Sequence, residues 1–226
     1  MSEPLIDARG LRYRWPGAAA DTLHIPALQL AAGEQLFLRG PSGSGKSTLL
    51  GLLAGVLAPT GGTLRLLGQD LGGLSGAARD HLRADQLGVI FQQFNLLPYL
   101  SVRDNVTLAL RFSARRRGLA TADDAGRLLA AMGLPEPLWQ RPAALLSVGQ
   151  QQRVAAARAL IGQPALLLAD EPTSALDEDA RDAFMALLQR CCAEAGSALV
   201  FVSHDARLAA RFPRVADLAT LNEATA

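Results

Sequence analysis

A chain of 226 residues with a formal net charge of +1 is long enough for a proper hydrophobic core, and its charge balance gives no support to a nucleic-acid surface. Half of its residues are hydrophobic, yet no apolar run reaches the roughly 18 residues that a membrane-spanning helix needs. The start, Met1 to Asp7, lacks the basic-then-apolar pattern of a secretory signal, and the two cysteines are the neighbours Cys191 and Cys192, which suit a reducing cytoplasm and imply no disulfide framework.

The first forty residues read as strands and turns. Leu36-Phe37-Leu38 is a short apolar run, and Leu49, Leu50, Leu52, Leu53 and Val56 follow at helical spacing. Pro59-Thr60-Gly61-Gly62 reads as a turn, Thr63 to Leu67 as a strand, and Leu87 to Phe91 as another apolar run. From about Gln93 to Leu160 the pattern turns helical. Ser101-Val102-Arg103-Asp104 and Thr121-Ala122-Asp123-Asp124 each have the spacing of a capping box. Ala165 to Ala169 and Ala198 to Val202 are continuous apolar runs that suit strands buried on both faces of a parallel sheet, with a helical stretch from about Asp179 to Ala195 between them. Phe184, Leu187, Leu188 and Cys191 share one face of that helix. The layout is one α/β domain over 1–226, its core formed by 1–92 and 161–226 and interrupted by a helical subdomain over 93–160. Arg115-Arg116-Arg117 reads as a solvated helix end, with an anionic-lipid or permease contact as the alternative. His24 and His81 read as surface or loop histidines.

Chemistry concentrates in four places. Gly40-Pro41-Ser42-Gly43-Ser44-Gly45-Lys46-Ser47-Thr48 fits G-x-x-x-x-G-K-S, a loop whose glycines let several backbone N–H groups converge on one phosphate while the next helix presents its positive end. Lys46 is the only lysine of the chain. A compact ammonium on a flexible stem fits a phosphate wrapped in amides, where the planar guanidinium used everywhere else in this chain does not. Ser47 has the position and chemistry to ligate Mg²⁺. Leu166-Leu167-Leu168-Ala169-Asp170-Glu171 is an apolar strand ending in two carboxylates: Asp170 can hold Mg²⁺ directly or through water, and Glu171 can orient or deprotonate an attacking water. His204, in Ser203-His204-Asp205, follows the next buried run. It can hydrogen-bond a γ-phosphate, or belong to a helix-capping turn. Leu146-Ser147-Val148-Gly149-Gln150 sits at the head of a helical pattern far from the phosphate loop. A helix-start serine and an unhindered glycine make a second anion-binding end. Two such ends in one chain suggest two chains sharing a nucleotide.

The order of these motifs resembles the ATP-binding cassette family of ATPases over almost the whole chain. Leu146 to Gln150 resembles the family's signature motif, Ser174-Ala175-Leu176-Asp177 its D-loop, His204 its switch histidine and Phe91-Gln92 its Q-loop. The stretch Val89 to Pro98 looks most like the group that serves lipoprotein release and macrolide or peptide export. The resemblance implies a phosphate-loop ATPase core of mixed sheet and flanking helices, an N-terminal antiparallel β region and the inserted helical subdomain. It also implies ATP and Mg²⁺ as ligands, with Gln92 sensing the metal beside Ser47 and Asp170. Two ATP molecules would lie in a head-to-tail dimer, each between Gly40–Thr48 of one subunit and Ser147, Gly149 and Gln150 of the other, with Asp177 communicating across the interface. Lys46, Glu171 and His204 carry the catalytic roles. The partners implied are a separate integral-membrane permease similar to FtsX or MacB and a periplasmic adaptor, so that the subunit sits on the cytoplasmic face of the bacterial inner membrane. The alternative is an FtsE-like mechanical or signalling ATPase driving a partner that moves no cargo. Two positions depart from the pattern: Val148 stands where the commonest signature has glycine, and Trp15 and Tyr13 compete for the place of the adenine-stacking aromatic, with alignment favouring Trp15.

Overall fold

The structure, a computed structural model, describes residues 3–41 and 43–224. In chain order its strands are β1 (Ile6–Tyr13), β2 (Leu23–Leu30), β3 (Gln35–Arg39), β4 (Gly61–Leu66), β5 (Gln69–Asp70), β6 (Leu87–Ile90), β7 (Leu166–Asp170), β8 (Ala198–Val202) and β9 (Arg214–Asp217). Its helices are α1 (Lys46–Leu53), α2 (Gly76–Gln86), α3 (Val102–Thr107), α4 (Ala114–Leu119), α5 (Asp124–Ala131), α6 (Val148–Leu160), α7 (Glu178–Ala195) and α8 (Leu218–Leu221). The chain divides into two compact units, Met1–Arg83 with Ala198–Ala226, and Ala84–Ser197.

The first unit carries an antiparallel sheet in the order β2-β1-β4-β5. Alternation drives it: Ile6, Ala8, Leu11 and Tyr13 of β1 turn inward with Leu23, Ile25, Leu28 and Leu30 of β2 and Leu64 and Leu66 of β4. The β1–β4 register shifts between Arg9 and Arg12. Here the two backbones come so close that a Cβ on Gly62 would lie 2.0 Å from the carbonyl oxygen of Gly10, so no other residue fits at 62. The same unit holds β3 between β8 and β9, all parallel, with Leu36 opposite Val200 and Phe37 opposite Phe201. Phe37, Phe201 and Phe212 form a core cluster with ring centroids 5.3–6.0 Å apart. All five residues of β8 are buried, as its unbroken apolar run requires. His24 lies within β2, half-buried, with Nδ1 3.7 Å from the Glu223 carboxylate. The sequence reading assigned no element to α2.

The second unit pairs β6 with β7 in parallel, from Leu87 opposite Leu166 to Ile90 opposite Ala169, and is otherwise helical. Helix α6 packs against β6 at Gly88, where a Cβ would sit 2.3 Å from the carbonyl oxygen of Ala159. The arginine triplet is split. Arg115 and Arg117 are exposed, but Arg116 is buried. Its guanidinium donates to the carbonyls of Leu87 at 3.1 Å and Ala159 at 2.8 Å, and through Nε to that of Ile161 at 2.8 Å. The solvated reading therefore fails at that residue. Burial pushes the Arg116 pKa down to about 10, which leaves it charged at neutral pH. Ser101 caps α3 by accepting from Asp104 N at 3.0 Å, but the Asp104 carboxylate takes the Ser101 hydroxyl at 2.7 Å. At the second expected box, Asp124 accepts from the Thr121 backbone N–H at 2.9 Å, and α5 starts only at Asp124.

Candidate active site

In the first unit, β3 runs into the loop at 40–45, which turns through left-handed Gly43 (φ 81°) and Gly45 (φ 95°) before α1. The conformation is open to glycine and poorly open to anything with a Cβ. Gly45 has a second reason to be glycine: a Cβ there would lie 2.6 Å from Leu23 Cδ2. Gly45 is also the N-cap of α1 and, being glycine, makes no side-chain cap bond to the first amides of the helix, so those N–H groups and the positive end of the helix dipole suit an anion. Ser44 Oγ is buried and has no hydrogen-bond partner among the described residues. A Cβ at Gly40 would crowd it at 2.6 Å. An orphaned hydroxyl inside a ring of glycines and uncapped amides matches the acceptor oxygens of a polyphosphate. Lys46 is half-buried, and Ser47, exposed at the second position of α1, offers its hydroxyl as a hard oxygen ligand suited to Mg²⁺. Thr48 is buried at the base of the helix. Pro41 is exposed, and Ser42 lies outside the described residues.

His204 is exposed immediately after β8 and lines an open cleft of about 260 Å³ with Gly40, Pro41, Arg39, Asp217 and Ala219. Its neighbours cap this turn. The buried Ser203 hydroxyl accepts from Asp205 N at 3.1 Å, and the Asp205 carboxylate accepts from Arg207 N at 3.1 Å. Of the two N-terminal aromatics, Tyr13 is buried with the inward face of β1, whereas Trp15 is 45% exposed, edge-on to Tyr13 at 5.1 Å. Only Trp15 has ring surface to offer a base.

In the second unit, Asp170 ends β7 half-buried and Glu171 follows with φ 46°, a left-handed conformation that a glutamate rarely adopts. A tight turn follows, with Ser174 N donating to Glu171 O at 3.2 Å and Leu176 N to Thr173 O at 3.2 Å. Asp177 closes it as the N-cap of α7, accepting from Ala180 N at 2.8 Å. Gln92 is exposed in the loop after β6. Ser147 caps α6 in a reciprocal box: its hydroxyl accepts from Gln150 N at 3.3 Å, while Gln150 Oε1 accepts from Ser147 N at 3.0 Å. The Gln150 side chain is thereby turned back on the cap. Val148 is 49% exposed. A Cβ on Gly149 would meet Leu176 Cδ2 at an ordinary 3.6 Å, so nothing among the described residues requires glycine there.

Sequence reasoning passed over Arg158, whose guanidinium binds the loop that carries Gln92, and Asn222. The Asn222 carboxamide accepts from His24 N at 2.8 Å and donates to Thr22 O at 3.0 Å, beside the phosphate loop. In the sequence Arg158 reads as an ordinary helix arginine. Asn222 leaves no pattern to find.

Residues 23–174 match the family model described as ABC transporter. The chain is 41% identical to the lipoprotein-releasing system ATP-binding protein LolD of Novosphingobium aromaticivorans, over 96% of this chain and 97% of that one. It is 39% identical to the macrolide export ATP-binding/permease protein MacB of Rhodopseudomonas palustris, over 96% of this chain and 33% of that much longer one. Among solved structures, the dimeric ATP-binding cassette MJ0796 in a post-hydrolysis state with ADP and Pi superposes with a TM-score of 0.82 at 34% identity, covering 94% of this chain and 93% of that one. By its match to the family model over residues 23–174 and its end-to-end relatives, the chain belongs to the ABC transporter family, as an ATP-binding and ATP-hydrolysing subunit of a transporter complex.

Proposed function

We propose that this subunit drives the extraction or export of lipid-modified or otherwise hydrophobic substrates through a separate permease of the FtsX or MacB type, working from the cytoplasmic face of the bacterial inner membrane. The observation that carries the reading is the end-to-end match to stand-alone lipoprotein-release subunits. No helix among the described residues is long and apolar enough to cross a membrane. Gln92 and the helical region after it are the proposed contact with that permease, and a periplasmic adaptor completes the complex.

The mechanism is differential binding of a triphosphate across two copies of the chain. The amides of 43–47 and Lys46 hold the β- and γ-phosphates, and Trp15 stacks on adenine, worth about 1 kcal/mol. Ser47 and Gln92, with Asp170 through water, would hold Mg²⁺, which supplies charge neutralisation on the phosphate oxygens. Glu171 takes the proton of the attacking water and His204 holds the γ-phosphate in line. Ser147 and Gly149 of a second copy close over the same γ-phosphate, and Asp177 carries the state of one site to the other. Closure then depends on an intact triphosphate, and hydrolysis releases it.

The test is reconstitution with the permease in proteoliposomes loaded with a lipid-modified protein. ATP-dependent release of that protein to an acceptor supports the reading. Permease-stimulated ATPase with no movement of cargo would replace it with the mechanical, FtsE-like role.

A further inference from the structure

The loop after β6 contains two consecutive non-glycine residues in the left-handed region, Phe94 (φ 58°) and Asn95 (φ 51°). Side chains disfavour that conformation, and two in succession persist only where the surroundings hold them. Local bonds supply part of the restraint: Phe94 N donates to Phe91 O at 2.9 Å and Asn95 N to Gln93 O at 2.6 Å. The rest comes from far away in sequence. Arg158, in the last turns of α6, donates Nη1 to Asn95 O at 2.6 Å and Nη2 to Phe94 O at 2.5 Å. The planar fork spans two adjacent carbonyls, a match of shape that an ammonium cannot reproduce. These two carbonyls are its only hydrogen-bond partners among the described residues, and burial lowers its pKa. A half-buried guanidinium satisfied by two backbone oxygens is costly to rearrange, because loss of the loop conformation would leave the charge without those partners.

Two parts of the proposed nucleotide site thus hang on one helix. Ser147 caps the N-terminus of α6, and three turns along, Arg158 grips the loop whose third-preceding and second-preceding residues from Asn95 are Gln92 and Gln93. We propose that Arg158 is a positioning residue that locks the Gln92 loop to the Ser147 helix, so that a shift of the loop on meeting the permease is delivered to the cap as a rigid displacement. This rests on the roles given above to Gln92 and Ser147. Arg158 itself touches neither nucleotide nor metal.

Hydrogen exchange on the ligand-free chain tests the lock separately from catalysis. Arg158→Lys should raise exchange at the amides of 93–97 at least tenfold while those of Ala155, Ala156 and Ala157 in α6 stay protected. In the full complex it should leave the KM for ATP within twofold and cut permease stimulation of kcat at least fivefold. Asn95→Gly, which takes a left-handed φ without side-chain penalty, should restore much of the loop protection in the Arg158→Lys background. A variant whose loop exchange and permease stimulation both match wild type overturns the proposal, as does a uniform loss of protection throughout α6. Loss of the stimulation in wild type itself would instead overturn the functional reading and leave the exchange result standing.

Discussion

The ammonium nitrogen of Lys46 lies 2.7 Å from the carbonyl oxygen of Gly40, and it reaches the Pro41 carbonyl at 2.8 Å as well. The lysine therefore spans the loop it belongs to, joining the first turn of α1 to the end of β3. Its charge is held over the same ring of amides that awaits a phosphate. Lys46→Ala removes both the brace and the charge. ATP affinity should fall about 100-fold, equivalent to about 3 kcal/mol for charge-assisted bonds. Lys46→Arg should fail almost as badly, because a planar fork does not fit the space of a single tetrahedral donor. Titration calorimetry with ATP and Mg²⁺ measures both. Micromolar affinity retained by the alanine variant would remove the loop from the site.

Glu171 sits at φ 46° beyond the end of β7, at the head of a turn that leads straight to the Asp177 cap. Glutamine has the same shape and the same tolerance of that backbone but takes no proton. Glu171→Gln should bind ATP as wild type does and lose about 10²- to 10⁴-fold in turnover, the range for removal of a general base. With its triphosphate uncleaved, it should also accumulate as a dimer in ATP and revert to monomer in ADP, read by light scattering during size exclusion. Wild-type turnover would mean that the base lies elsewhere.

The residues of the candidate site could be proposed from the sequence because each motif fixes its chemistry by spacing along a few contiguous residues. The same holds for the strands over 36–38, 166–169 and 198–202, where apolar runs have one good solution. The burial of Tyr13 was legible in principle: alternation from Leu11 puts it on the inward face of β1. What could not be read was any residue whose environment is set at long range. Arg116 belongs to a triplet that reads as solvated, and only the carbonyls at 87, 159 and 161 make it interior. Arg158 looks like any helix arginine until the loop at 94 and 95 folds beneath it. The expected box at Thr121 formed only by half: Asp124 accepts from the Thr121 N–H as the box requires, but Asp124 N donates to the Thr121 carbonyl and not to its hydroxyl, and the helix takes up only afterwards.

Arg116 closes the C-terminal end of α6, where carbonyls otherwise lack donors. It donates to Ala159 and Ile161 there and to Leu87 at the start of β6, and a Cβ on Gly162 would lie 2.6 Å from its own Cβ. Arg116→Met keeps the length and apolar stem but strands three carbonyls. Stability should drop by about 3 kcal/mol, lowering the melting temperature by about 6–12 °C for a chain of this size. Arg115→Met, exposed next door, should shift it by less than about 2 °C. Calorimetry on the pair separates a buried clasp from a general charge effect, and equal shifts would discard the clasp.

Gly149 has room for a Cβ inside its own chain, and Ser147 is exposed at its cap. If these two face the nucleotide of a second copy, damage to them and damage to Lys46 fall on different sites of the pair. Ser147→Arg should leave ATP binding to the monomer unchanged and abolish hydrolysis by sealing the shared pocket with a bulky charge. Lys46→Ala should be inactive for lack of a phosphate loop. Mixed in equal amounts, the two dead variants form some pairs in which one site holds both lesions and the other holds neither. Random pairing makes half the dimers mixed, each with one intact site, so ATPase should return to about a quarter of the wild-type rate if the sites act independently, and lower if they are coupled. Two inactive proteins regaining turnover on mixing has no explanation within a single chain. If the mixture stays as silent as its parts while a wild-type and Ser147→Arg mixture remains active, each subunit completes its own pocket and the shared-site mechanism is wrong.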